Sequence, residues 1–301
     1  MISNLTPARQ QFLDNLNQIS DTLNKAQLQI ASGLKITQVS DAPDSISLLL
    51  EAHAGLASTG QTLKNLGRFT TEANAGEQAM QNAVTTFDQV QTLAAEGATS
   101  TQTAAGNATL AQQVNTLLQQ FVGLAASRNE GRYIFAGDQD QNLPYTYTAG
   151  QNPPVSAYGG STSTRVAQDV NGIQFPVALT AQQIFDSPDP TTNVFTTLQN
   201  LSAALAGNNT AAIQTALNGL PTVSQYLNTQ LSFYGNVQNH LTTATTGATN
   251  VQLRQQTQVS GLQDADVSQA ILQLTQAQTQ EQAAVQSEAQ IPRQTLFNFL
   301  A

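Results

Sequence analysis

The sequence predicts a mainly α fold: a long antiparallel helical rod or coiled coil, with paired N- and C-terminal helices and a small β-rich insertion. Three observations predict it. Phe12, Leu16, Ile19, Leu23, Ala26 and Ile30 step by 4, 3, 4, 3 and 4 residues, which is a heptad seam. Val267, Ala270, Ile271, Leu274, Ala277, Ala284 and Val285 put apolar and small side chains on one face of a helix near the other end. Six of the ten prolines fall between residues 137 and 190. They come with Tyr145, Tyr147, Tyr158, Gly159-Gly160 and Asn171-Gly172, a composition of turns and short strands.

The C-terminal stripe is thin, with Gln278 and Glu281 beside it, so that helix is marginal alone and needs a partner. The N-terminal seam is the natural one. Packing of both helices into an ordinary globular core would leave the same spacing.

Taken in order, the first helix starts near Pro7, a residue suited to a first turn. It stops at Ser32, with Gly33 as the C′ residue and Leu34 as its hydrophobic partner. Residues 33–40 form an extended connector. Asp41 is placed to cap a second helix, with Pro43 and Asp44 in its first turn. That helix carries Ile46, Leu49, His53, Leu56, Gly60, Leu63 and Gly67 as a seam, and runs on through Met80, Val84, Phe87 and Leu93 to about Glu96. Residues 97–107 read as a turn cluster. A third helix with Leu110, Val114, Leu117, Phe121 and Leu124 ends near Glu130-Gly131. Arg132–Gly137 is a β-prone run, and 164–170 and 172–179 read as strands around the Asn-Gly turn. Helix returns over 191–206 and 210–256, where Pro221 marks a start or a kink. A second connector, 261–266, leads to the last helix, which Ile291-Pro292 ends. The implied domains are 1–40 with 262–301, 41–136 with 180–261, and 137–179.

Composition narrows the function. Charged residues are 10% of the chain, against about 25% in typical globular proteins. Nineteen acidic against ten basic residues give a net charge of −9. No Lys/Arg run offers the footprint that nucleic acid or an anionic membrane requires. Without cysteine there is no disulfide framework, thiolate metal site or Cys nucleophile. No apolar run approaches the ~20 residues of a membrane span. The first residues lack a basic region followed by an apolar core, so any export uses a route without a cleaved signal.

Catalytic constellations are missing as well. His53 and His240 each stand alone on a predicted helix, and no nucleophile elbow, P-loop or zincin motif occurs. Asp138/Asp140 and Asp186/Asp189 could in principle hold calcium, though short loop acids usually cap solvated turns. The expectation is therefore no catalytic, cofactor or metal site. The tail residues Leu296, Phe297, Phe299 and Leu300 either dock within the chain or form a patch covered by a neighbour or a chaperone.

Four stretches carry a resemblance to the flagellin superfamily, and within it to the hook–filament junction branch (hook-associated protein 3, L-type). They are Ile30-Ala31-Ser32-Gly33-Leu34-Lys35-Ile36, Ser40-Asp41-Ala42-Pro43, Asn129-Glu130-Gly131-Arg132-Tyr133-Ile134-Phe135-Ala136-Gly137, and a C-terminal set. That set comprises Asp264-Ala265-Asp266, Leu274–Thr279 and Leu296–Leu300. Ala42 stands where the branch's SDDP pattern has a second Asp, and the insertion aligns with nothing in the family.

The resemblance implies a non-enzymatic structural subunit at the hook–filament junction of an extracellular flagellum, exported unfolded by a type III apparatus and ordered on assembly. It implies self-association in a ring or helix, a preceding hook-associated protein on one side and flagellin on the other, and an export chaperone near the C-terminus. A short flagellin is the first alternative and a secreted coiled-coil adhesin the second.

Overall fold

The computed structural model describes residues 7–290. Its helices are α1 (Pro7–Ser32), α2 (Pro43–Gly97), α3 (Ala104–Ala125), α4 (Ala181–Phe185), α5 (Val194–Ala206), α6 (Thr210–Gln263) and α7 (Val267–Gln290). The strands are β1 (Arg128–Asn129) with β2 (Arg132–Tyr133), and β3 (Val166–Gln168) with β4 (Gln174–Pro176), each an antiparallel pair. The fold is thus mainly α with a small β component. Two compact units result, Met1–Ala57 with Gln252–Ala301, and Ser58–Val251. Helices α2 and α6 pass from one into the other. The sequence reading puts these boundaries nearer the chain ends, at 40/41 and 261/262.

In the first unit α1 packs antiparallel against α7. Gly33 ends α1 at φ +71°, where its lack of Cβ removes the steric cost, and its N–H bonds the Gln29 carbonyl at 2.8 Å. The two connectors then pair. Lys35 N–H donates to the Gln263 carbonyl at 2.7 Å and Ala265 N–H to the Gly33 carbonyl at 2.8 Å. Asp41 does not cap α2. Its carboxylate turns back to accept from the Thr37 and Gln38 N–H groups, each at 2.9 Å. The Ala42 carbonyl opens α2 instead, bonded by Ser45 and Ile46 N–H, with Pro43 first in the helix.

The second unit is built on a seam in α2 that differs by one residue from the expected one. Thr59, Leu66, Ala73, Met80, Phe87 and Ala94, each seven residues apart, are all buried, while Gly67 is exposed. Gly76 is buried between Ala73 and Met80, at steps of 3 and 4. In α6 the buried Leu220, Leu227, Tyr234, Leu241 and Ala248 are likewise each seven residues apart. The two seams meet. A Cβ on Gly76 would lie 2.5 Å from Cε1 of Tyr234, so the ring packs against bare backbone.

Helix α3 starts earlier than read, at the Thr103 cap, whose hydroxyl accepts from Gly106 N–H at 3.1 Å. It also ends earlier, at Ala125. Glu130 (φ 49°) and Gly131 (φ 80°) form the hairpin turn of β1–β2, not a helix terminus. Pro221 lies inside α6, neither starting nor ending it. The short α4, capped by Thr180 and Gln183, was not foreseen, because five residues carry no periodicity. The Asn-Gly turn was foreseen and joins β3 to β4, with Gly172 at φ +85°.

The segment 137–179 shares the helical core. Tyr145, Val155, Ala167 and Val177 are buried in the same cluster as Leu66, Phe121 and Leu198. Arg165 fastens it. Its guanidinium pairs with Glu72 of α2, lies 3.6 Å from Asp140, and donates to the Tyr133 and Gly137 carbonyls at 3.2 and 3.4 Å. A largely desolvated cation tied to two carboxylates and two loops fixes one arrangement.

Glu72→Ala should therefore cost the second unit about 3 kcal/mol, since it strips a partner from a buried cation. Gly76→Ala should cost about 2 kcal/mol through overpacking against Tyr234. Urea unfolding followed by tyrosine fluorescence measures both, and a loss below a few tenths of a kcal/mol in either would contradict the contact.

Candidate assembly surface

The residues expected to mediate pairing divide between two faces. On α1 the heptad seam lies inward: Leu23 and Ala26 are buried, and Phe12, Leu16, Ile19 and Ile30 are half-buried. On α7 the inward line is Ala270, Leu274, Ala277 and Ala284, with the two lower alanines buried to 2% and 1% exposure. Val267, Ile271 and Val285 do not join it. They are 42%, 49% and 54% exposed. At 100° per residue they stand about 60° to 100° from the centre of the seam, outside the narrow stripe that one partner helix covers. The single face read from the sequence is therefore two: a thin alanine-rich face for α1 and an uncovered aliphatic one. Leu296, Phe297, Phe299 and Leu300 lie outside the described residues.

More apolar side chains are uncovered than the sequence reading held. Leu272 beside Ile271 is 56% exposed, and Leu13 and Leu28 on α1 are also open. So are Leu48 and Leu50 at the start of α2 and Leu253 near the end of α6. Nine of the twelve large exposed hydrophobics among the described residues belong to this terminal unit, so the bare apolar surface is concentrated there. The run Leu48-Leu49-Leu50 was a legible signal, because one helix stripe cannot take three consecutive leucines. Only Leu49 is buried.

Polar contacts hold this unit in register. Lys35 Nζ donates to the Gly261 carbonyl at 3.2 Å, and His53 Nε2 stands 3.2 Å from Gln263 Oε1. Gly55 faces Gln255, where a Cβ would come within 2.9 Å of the amide nitrogen. The backbone N–H groups of Thr37 and then Gln38, with the Thr37 hydroxyl and the charge of Lys25, hold the Asp41 carboxyl below its ordinary range.

The side chains weighed for chemistry are otherwise occupied. His240 lies against the Phe175 ring at 5.6 Å between centroids. Asp140 faces Arg132 and Arg165. Asp186 accepts from Tyr145 and Asn193 at 3.1 and 2.9 Å, and Asp189 folds onto Thr191. Among the described residues no three His, Cys, Asp or Glu side chains converge as a metal site would need, and no helix is long and apolar enough to cross a membrane.

Comparison with known proteins follows this architecture. Residues 211–300 match the family described as the bacterial flagellin C-terminal helical region. No curated protein matches the sequence. Among solved structures, a protein described as a flagellar hook-associated protein from Vibrio parahaemolyticus aligns with TM-score 0.65 at 16% identity, over 74% of this chain and 100% of its own. Flagellar hook-associated protein-3 from Legionella pneumophila gives TM-score 0.61 at 13% identity, over 72% and 98%. FlgL from Bacillus cereus gives 0.54 at 18% identity, over 71% and 100%. The chain has the fold of these proteins.

Leu23→Asp and Ile271→Asp separate the two faces. Leu23→Asp should unpair α1 from α7 and lower the helical circular-dichroism signal. Ile271→Asp should leave the signal and the melting curve unchanged, because an exposed site tolerates the charge. A matching loss of signal in both would show that the exposed face is part of the intramolecular core. Acid should loosen the paired connectors. A carboxyl with a lowered folded value adds stability above its unfolded value, about 4, and loses it as pH falls through the lower one. Protection of the Thr37 and Gln38 amides, measured against the intrinsic exchange rate at each pH, should fall in that window in the native chain. It should already be lost at neutral pH in Asp41→Asn.

Proposed function

We propose that this chain is a non-enzymatic structural subunit of the bacterial flagellum that joins hook to filament and is ordered by assembly. The observation that carries the reading is the fold. It covers essentially the whole of three solved proteins described as FlgL or hook-associated proteins. The exposed aliphatic face of α1, α7 and the adjoining turns of α2 and α6 supports it, since that much bare apolar surface in one unit calls for covering neighbours. Those neighbours are further copies of the chain, a preceding hook-associated protein on the hook side and flagellin on the distal side. Before assembly an export chaperone covers the C-terminal region. The chain crosses the envelope unfolded and acts outside the cell, and its thin seams are suited to ordering on contact. A short flagellin is the second reading, favoured by the flagellin C-terminal match at 211–300.

Electron microscopy of the purified protein, alone and with hooks already carrying the preceding hook-associated protein, tests this. The expected outcome is a short cap on those hooks and no filaments from the protein alone. Long filaments from the protein alone would make it a flagellin. With neither product, both readings fail. Ile271→Asp should abolish the cap while its melting curve matches the parent protein.

A further inference from the structure

The chain contains two Asn-Gly steps, Asn171-Gly172 and Asn218-Gly219, and the fold treats them differently. Asn171 and Gly172 form the exposed tip of the β3–β4 hairpin, next to Ile173, which is 63% exposed. Gly172 carries no side chain to shield its nitrogen, and its φ of +85° suits glycine. Nothing among the described residues holds the Asn171 side-chain amide by a hydrogen bond. The contacts at the tip are to backbone: the Asp169 carboxylate accepts from Asn171 and Ile173 N–H at 2.8 Å, and Gly172 N–H reaches the Asp169 carbonyl at 3.1 Å. One turn at a loop tip has to open to free that nitrogen.

Asn218-Gly219 lies within α6, between Leu217 and the buried Leu220. The Asn218 amide oxygen is held by Gln214 Nε2 at 3.2 Å. Freeing the Gly219 nitrogen means breaking a packed helix, not fraying a tip.

We infer that Asn171 is a site of spontaneous backbone-assisted deamidation in the native protein, and that Asn218 is protected by its helix. The Gly172 nitrogen attacks Cγ of Asn171. A carbon–nitrogen bond forms to close a five-membered imide, the bond from Cγ to the side-chain nitrogen breaks, and ammonia leaves with the proton from Gly172. Water then opens the imide at either carbonyl, giving aspartate or isoaspartate. Either product sets a second carboxylate beside Asp169 at the tip. Isoaspartate also adds a methylene to the backbone between residues 171 and 172, which displaces the Gly172 and Ile173 N–H groups from Asp169. The hairpin therefore loosens as the protein ages.

The test incubates the full-length native chain at mildly alkaline pH and follows both peptides by mass spectrometry, with isoaspartyl methyltransferase labelling. A parallel sample is kept unfolded in urea. In the native sample Asn171 should convert at least about tenfold faster than Asn218, and in urea the two should react at similar rates. Asn171→Gln should remove the native labelling. Equal native rates, or native Asn171 as inert as Asn218 while both react in urea, would overturn the inference.

Discussion

Tyr234 on bare Gly76 is the contact on which the second unit depends. It stands where the buried seams of α2 and α6 meet. A side chain on residue 76 would separate the helices there, and its absence lets an aromatic ring fill the gap. The ring then extends the core sideways. It meets Phe135 at 6.4 Å and Phe233 at 5.4 Å, and its hydroxyl accepts from Leu179 N–H at 3.3 Å. Burial raises the Tyr234 hydroxyl's pKa, so it stays a neutral hydroxyl, able to serve as acceptor. One turn away on α2, Glu72 takes Arg165 from the other side of the insertion. Two adjacent turns of one helix thus anchor the β segment, one by packing and one by charge.

The terminal unit is organised by the opposite economy. Its α7 seam is mostly alanine, so burial there contributes little per residue. The exact alignment comes from backbone bonds between the connectors, which a change of surface side chains leaves intact. Weak side-chain packing on a fixed backbone register leaves the aliphatic side chains free to face outward. In the second unit the large side chains are turned inward around Phe121, Phe185 and Phe195, whose rings lie about 6 Å apart.

Much of this was legible in the sequence because long helices repeat their signal. On α1 the six apolar residues recur without a break, and all six are buried or half-buried. In α2 the phase was wrong: His53, Gly60 and Gly67 were counted in place of Ala52, Thr59 and Leu66. Small residues weigh little in a hydrophobic pattern. Asp41 looked like a helix cap because one line of sequence cannot show that a carboxylate folds back onto the connector. Val267, Ile271 and Val285 were joined to Ala270 because adjacent stripes overlap in a helical projection. Only packing shows which stripe α1 covers. The pairing of Arg165 with Glu72 spans 93 residues, and no local pattern announces it.

The scarcity of charge belongs to the same logic. The helices are stabilised with few ion pairs, and their outer faces carry Thr, Gln, Asn and Ser. Many of the threonines satisfy themselves: Thr22, Thr85, Thr116, Thr243 and Thr275 each donate to the carbonyl four residues back, at 2.8 to 3.1 Å. Such a hydroxyl presents its methyl group outward and gives up little when water is removed, whereas an uncompensated lysine or glutamate would cost several kcal/mol. A surface of this kind can be covered by many neighbours without a matched counter-charge at each contact. A net charge of −9 spread thinly over 301 residues keeps single chains apart in solution. Any adhesion then falls to shape and to the exposed leucines and isoleucines of the terminal unit.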